Sequence, residues 1–148
     1  SELIENFEIL GDWEERFAYL IELGKKLPSL DESEMVEDNL VHGCQAAVWL
    51  KMLPASDSTF DIHADSDAFI VKGLIAVLLM IYSGKTAEQI LTNDGTETFA
   101  KLGLDRHLSP TRRNGLYSML SRIKALAAAS VAPRTPPIYV TRRPRVAW

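Results

Sequence analysis

Apolar positions along this chain recur first at helical spacing, then at strand spacing, then again at helical spacing. Leu3 to Leu10 predicts a short first helix. After it, Trp13, Phe17, Leu20, Ile21 and Gly24 share one helical face, with Glu14, Glu15 and Glu22 left for the wet side. Asp12 with Glu15 three residues on has the form of a capping box, and Gly24 and Pro28 mark the helix end. "PSLDESEMVEDNL" (28–40) is acidic and without period, so it predicts a loop holding at most one helical turn. The period then becomes two. In "AAVWLKML" Val48, Leu50 and Met52 share one strand face, and Trp49, Lys51 and Leu53 share the other. "PASDS" is a turn, and "TFDIHAD" alternates with Phe60, Ile62 and Ala64 inward and Thr59, Asp61 and His63 outward. The two runs predict an antiparallel hairpin, with Asn39 to His42 as an expected third, short strand.

The second half is helical. Ala68 to Tyr82 is apolar nearly all round, as a central core helix is. Ser66 is its expected N-cap, with Asp65 and Asp67 placing negative charge at the positive end of the dipole. Ser83-Gly84 stops it. Thr86 to Leu91 and Thr96 to Leu102 predict two short helices. In "LSPTRRNGLYSMLSRIKALAAA" Ser109 is the expected N-cap and Pro110 the first helical residue, with Leu116, Met119, Leu120, Ile123 and Leu126 as the buried stripe. Helices, then a small antiparallel sheet of about three strands, then helices is an α+β order.

Of 148 residues, 47% are hydrophobic and 24% charged, enough for one domain with a core, placed at 1–130. That part carries 20 acidic and 12 basic side chains, net −8, which argues against a nucleic-acid backbone as partner. The remaining 131–148 has four arginines, no acid and four of the seven prolines, so it reads as a flexible, solvated extension. "SELIENFEIL" lacks the pattern of a signal peptide, and the Ala68–Tyr82 run is too short to span a membrane. The expectation is a soluble cytoplasmic protein, a monomer or weak dimer.

The chain has a single cysteine, Cys44, which excludes an internal disulfide. It follows Gly43 at a loop-to-strand junction, where backbone freedom and exposure favour reactive groups, whereas a lone cysteine is otherwise often a small buried hydrophobe. Both roles stay open on the residues alone. His42 stands two residues away and shares a face with Cys44 if the segment is a strand, and is otherwise a half-exposed loop histidine. His63 and His107 are isolated. No ligand spacing for a metal, no Gly-rich phosphate loop and no nucleophile elbow is present, so no metal or cofactor is expected. Arg112 and Arg113 sit in the first turn of the last helix, where the dipole prefers anions. They serve an anionic sulfur or a partner carboxylate, or they pair with Asp105 or another acid; for Arg113 the pairing is favoured.

"DWEERFAYLIELGKKLP", "NLVHGCQAAVWL", "DSDAFIVKGLIAVLLMIYSGKT" and "HLSPTRRNGLYSMLSRIKA" together resemble the SufE/CsdE family over roughly residues 3 to 128. That family comprises sulfur acceptors of cysteine desulfurases in iron–sulfur cluster assembly. The resemblance implies an α+β fold like that of the IscU-type scaffolds, with Cys44 as the persulfide-accepting thiol at a loop tip. It implies a desulfurase of the SufS/CsdA type as partner, stimulated by this protein, and an iron–sulfur scaffold as the next acceptor. His42, Gln45 and Arg112 are candidate supports, with Val48, Trp49 and Leu50 as the expected apolar shelter. Gly43, Asp65 and Asp67 are the candidate partner contacts, the capping role of the aspartates being favoured. A single cysteine cannot supply a ligand set for a cluster, which favours a carrier over a scaffold. The alternative is a binding module that activates a desulfurase without carrying sulfur.

Overall fold

The computed structural model describes residues 2–131, so the expected extension lies outside the described residues except for Val131. Helix α1 spans Glu2–Ile9 and α2 spans Trp13–Lys25. Asp12 caps α2 by accepting from the Glu15 N–H at 2.9 Å. The acidic loop carries two short 3-10 turns, Glu32–Glu34 and Glu37–Asn39, where at most one helical turn was expected.

Strands β1 (Val48–Pro54) and β2 (Thr59–Ser66) form the expected antiparallel hairpin, with Leu50 opposite Ala64 and Met52 opposite Ile62. Val48, Leu50, Ile62 and Ala64 are buried and Phe60 packs on the same core, so the alternation assigns the inner face correctly. The third strand is not at Asn39–His42. There, Leu40 makes only a single bridge to Trp49, and the Val41 N–H donates to the Val48 carbonyl at 2.8 Å. The third strand is β3, Lys85–Thr86, paired with Phe60 and Thr59. Gly84, at φ +77°, turns the chain after the central helix and donates its N–H to the Phe60 carbonyl at 2.8 Å.

Helix α3 (Phe69–Tyr82) is that central helix, buried along most of its length. Its N-cap is Ala68 rather than Ser66, because β2 runs through Ser66. The Ser66 hydroxyl still serves the helix start, accepting from the Ala68 N–H at 3.2 Å and donating to the Ala47 carbonyl at 2.7 Å. Helices α2 and α3 meet backbone to backbone. A Cβ on Gly73 would lie 2.3 Å from the Leu20 carbonyl oxygen, and one on Gly24 would lie 2.6 Å from the Gly73 nitrogen. Glycine at both positions is what lets the helices approach this closely.

Helix α4 (Ala87–Thr92) opens on a capping box of Thr86 and Gln89. Helix α5 is Gly95–Leu102 and α6 is the four-residue Leu104–His107, begun after Gly103 at φ +77°. Helix α7 runs Pro110–Val131 with Ser109 before it, whose hydroxyl accepts from the Arg112 N–H at 3.3 Å. Leu116, Met119, Leu120 and Ile123 are buried as the spacing predicts, and Leu126 is half-buried. Three antiparallel strands with helices packed on them make an α+β fold. No helix among the described residues is long and apolar enough to cross a membrane.

Candidate functional site

Cys44 sits in the turn between the Glu37–Asn39 segment and β1, with Gly43 before it at φ +92°, a conformation that favours glycine. The segment is not strand, so the shared face for His42 and Cys44 does not arise. His42 is 78% exposed and its Nε2 lies 3.5 Å from a Glu37 carboxylate oxygen, on the solvent side of the turn.

The thiol points the other way. It is half-buried, and its Sγ donates to the carbonyl of Gly115 in α7 at 3.5 Å. A tight pocket of about 10 Å³ surrounds it, lined by Gln45 and Ala46 from its own loop, Val71 and Leu74 from α3, and Arg112, Leu116 and Met119 from α7. That volume is close to the least that holds one water. The expected shelter of Val48, Trp49 and Leu50 does not line this pocket. Those residues are neighbours in sequence, but the pleat of β1 points Val48 and Leu50 into the core and Trp49 to the opposite face, while two distant helices supply the apolar wall. Burial in this wall raises the Cys44 thiol above its ordinary pKa.

The structure therefore brings Cys44, Gln45 and Arg112 together and leaves His42 apart. Arg113 follows the expected pairing only in part: its Nη1 donates to the backbone carbonyl of Asp105 at 3.0 Å, not to the carboxylate. Of the two aspartates, Asp67 is exposed, and its carboxylate accepts from the Ala47 N–H at 3.2 Å. Asp65 is 4% exposed. Its carboxylate accepts from the N–H groups of Leu30 at 3.2 Å and Ser66 at 2.8 Å, and pairs with Lys72 at 3.4 Å. Asp65 is thus turned into the fold, and of the two only Asp67 faces outward. Among the described residues no group of three or more His, Cys, Asp and Glu side chains gathers where a metal ion could be held.

Gly115, Leu116 and Met119 are site residues that sequence reasoning did not assign. Leu116 and Met119 were legible as core positions, but nothing local to them shows that the cysteine packs on that stripe.

The family model for the SufE domain, described as an Fe-S metabolism associated domain, matches residues 1–127. The chain belongs to the SufE family. It is 44% identical over 130 residues to an uncharacterized SufE-like protein of Rhizobium meliloti, covering 86% of this chain and 93% of that protein. It is 45% identical over 135 residues to an uncharacterized SufE-like protein of Rhizobium etli, covering 89% and 91%. The solution structure of a hypothetical protein from Thermus thermophilus matches with a TM-score of 0.71 at 23% identity, over 88% of this chain and 93% of that one, and shows the same fold. SufE-domain membership places the chain in Fe–S metabolism.

Proposed function

We propose that this SufE-family protein is a sulfur carrier: it accepts persulfide sulfur from a cysteine desulfurase on Cys44, stimulates that enzyme and delivers the sulfur to an iron–sulfur scaffold. The observation that carries the reading is the placement of the only thiol in the chain. It lies at a surface turn, yet its sulfur faces a tight, mostly apolar pocket of about 10 Å³. A hydrolytic cysteine would need a base in reach, and His42 is turned to Glu37.

The transfer is a thiol exchange. On presentation to the desulfurase, the Cys44 thiol loses its proton. Its thiolate attacks the outer sulfur of the partner's persulfide, R–S–SH. The partner's S–S bond breaks, its electron pair leaves with R–S⁻, and Cys44 carries S–SH. Delivery repeats the step: an acceptor thiolate attacks the outer sulfur and the Cys44 thiolate leaves. No net oxidation occurs in either step. The rate follows the thiolate fraction and access of the attacking sulfur. Retracted, the persulfide returns to the wall formed by Val71, Leu74, Leu116 and Met119, which keeps reductants away. Arg112, at that pocket and in the first turn of α7, supplies positive charge to the anionic sulfur. The partner docks on the face holding Gly43, the Cys44 turn and Asp67, since direct transfer requires the two sulfurs to touch. The cytoplasm is the expected compartment.

Intact mass spectrometry after incubation with a cysteine desulfurase and cysteine tests the proposal. Added sulfur, removable by a thiol reductant, is expected on the native protein and absent from Cys44→Ser. A Cys44→Ser variant that gained the same reductant-sensitive mass would overturn the carrier role. One that took no sulfur, yet with a scaffold present supported the same sulfur delivery as native, would establish the pure activator.

A further inference from the structure

Three contacts hold the cysteine turn against α7, and they follow one another along a single stripe of the helix. Cys44 Sγ donates to the Gly115 carbonyl at 3.5 Å, Ser118 Oγ donates to the Gly43 carbonyl at 3.4 Å, and Arg122 Nη2 donates to the Asp38 carbonyl at 3.1 Å. Positions 115, 118 and 122 are three and four residues apart, so they lie above one another on one helical face. As α7 advances from 115 to 122, the loop runs back from 44 to 38. The fit is close: a Cβ on Gly43 would meet Ser118 Oγ at 2.5 Å. The neighbouring stripe of Leu116, Met119, Leu120 and Ile123 is buried in the core, so α7 is a fixed surface against which the loop is held. On the loop side the two side-chain grips engage backbone carbonyls, so they fix the path of the chain whatever its side chains are.

We infer that Ser118 and Arg122 are positioning residues for sulfur acceptance, a latch that holds the 38–44 loop on α7 and sets how often Cys44 leaves its pocket. The inference rests on the reading of Cys44 as the acceptor, and it adds residues that touch neither the sulfur nor its pocket. In the free protein, the reactivity of Cys44 is the fraction of time the loop is open multiplied by the reactivity of an open thiol. Each grip removed raises that fraction. The docked desulfurase has to break the same grips, so their strength divides the protein between sheltering sulfur and exchanging it.

The test is the alkylation rate of Cys44 by iodoacetamide in the full native chain at one fixed pH. Each rate is divided by that of the same variant unfolded in urea. Cys44 is the only thiol, so the mass of the product reads it directly. Loss of one net hydrogen bond predicts that Ser118→Ala and Arg122→Ala each react about threefold to tenfold faster, and the double variant faster than either. Arg122→Lys and Ser118→Thr keep a donor at each place and are expected within about twofold of the native rate. Alanine variants at the native rate would overturn the latch. So would an acceleration shared by the conservative variants and matched by a fall in their urea midpoints. Alkylation needs no desulfurase. Failure of Cys44 to take up sulfur therefore overturns the function proposed above and leaves the latch standing, while unchanged alkylation beside intact sulfur uptake overturns the latch alone.

Discussion

Asp65 and Asp67 stand two residues apart in sequence, and the structure separates what their loss should do. Asp65→Ala removes the acceptor for the buried Leu30 N–H and for the Ser66 N–H, and leaves the half-buried Lys72 ammonium without its partner. Stranding one buried donor costs about 1–3 kcal/mol, and breaking a buried ion pair by deleting one partner costs about 3–5 kcal/mol. Lys72 keeps 26% exposure and can turn to water, so the ionic part is discounted and the expected total is about 3 kcal/mol. At about 2–4 °C per kcal/mol for a domain near this size, Asp65→Ala should melt roughly 10 °C below the native protein. Asp65→Asn keeps one acceptor and loses the charge, so about half that cost is expected. Asp67→Ala gives up a single exposed hydrogen bond to the Ala47 N–H and should cost about 0.5–1.5 kcal/mol. On the docking face proposed above, charge reversal at Asp67 should change desulfurase affinity more than reversal at the exposed Glu14. Urea melts with free m-values measure the first quantity, and titration of desulfurase activity measures the second. An Asp65→Ala protein as stable as the native one but impaired in desulfurase binding would refute the assignment of Asp65 to the interior.

Two further outcomes follow from the packing and the buried thiol. Gly73→Ala forces a methyl group onto the Leu20 carbonyl and should destabilise by about 2 kcal/mol or more despite the better helix propensity of alanine. Gly115→Ala, whose Cβ would meet only Cys44 Sγ at an ordinary 3.7 Å, should be neutral or stabilising by up to about 1 kcal/mol, and chemical denaturation distinguishes the two. Burial raises the Cys44 pKa, so the folded protein holds its thiol proton more tightly than the unfolded chain does. The pH profile of alkylation should therefore lie to the alkaline side of that measured in urea. The associated stability should be present below the ordinary thiol value of about 8.5 and be lost as pH rises through the folded value.

The parts of this fold that were legible in the sequence are those whose signal is local. Asp12 and Ser109 mark helix starts by accepting from backbone N–H groups within one turn, and they do so here, while Pro110 fits the first helical position because it has no N–H to satisfy. The alternation in β1 and β2 names the buried face because each strand meets one core. Strand β3 escapes this reasoning. Two residues show no period, and Lys85–Thr86 becomes a strand only because Gly84 turns the chain alongside Phe60. Asp65 escapes for a different reason. Period two divides a strand into faces but does not say what covers the second face, and here the Leu30 segment and Lys72 of α3 cover it. The site divides the same way. Cys44 beside Gly43 was visible as a candidate, and Arg112 as a misplaced charge. The wall around the sulfur was not, since Val71, Leu74, Leu116 and Met119 meet Cys44 only through tertiary packing.

Shelter and reactivity oppose each other at Cys44. On the carrier reading proposed above, the apolar wall that would shelter a bound sulfur is the same wall that raises the thiol pKa, so the closed thiol is less ionised than an open one. Opening restores an ordinary thiol, with a larger thiolate fraction and an unobstructed line of attack. A free protein that stayed open would react with any disulfide or oxidant it met, and one that stayed shut would never take sulfur. For a carrier of this kind the useful state would therefore be closed in solution and open in the complex, with the free energy for opening coming from docking. On the proposed docking face, contacts at Gly43 and Asp67 would supply it, because they are made only when a partner is present. In a protein built this way, a desulfurase variant that docks weakly should lose sulfur transfer more steeply than it loses binding, since transfer draws on both the encounter and the opening that the encounter drives.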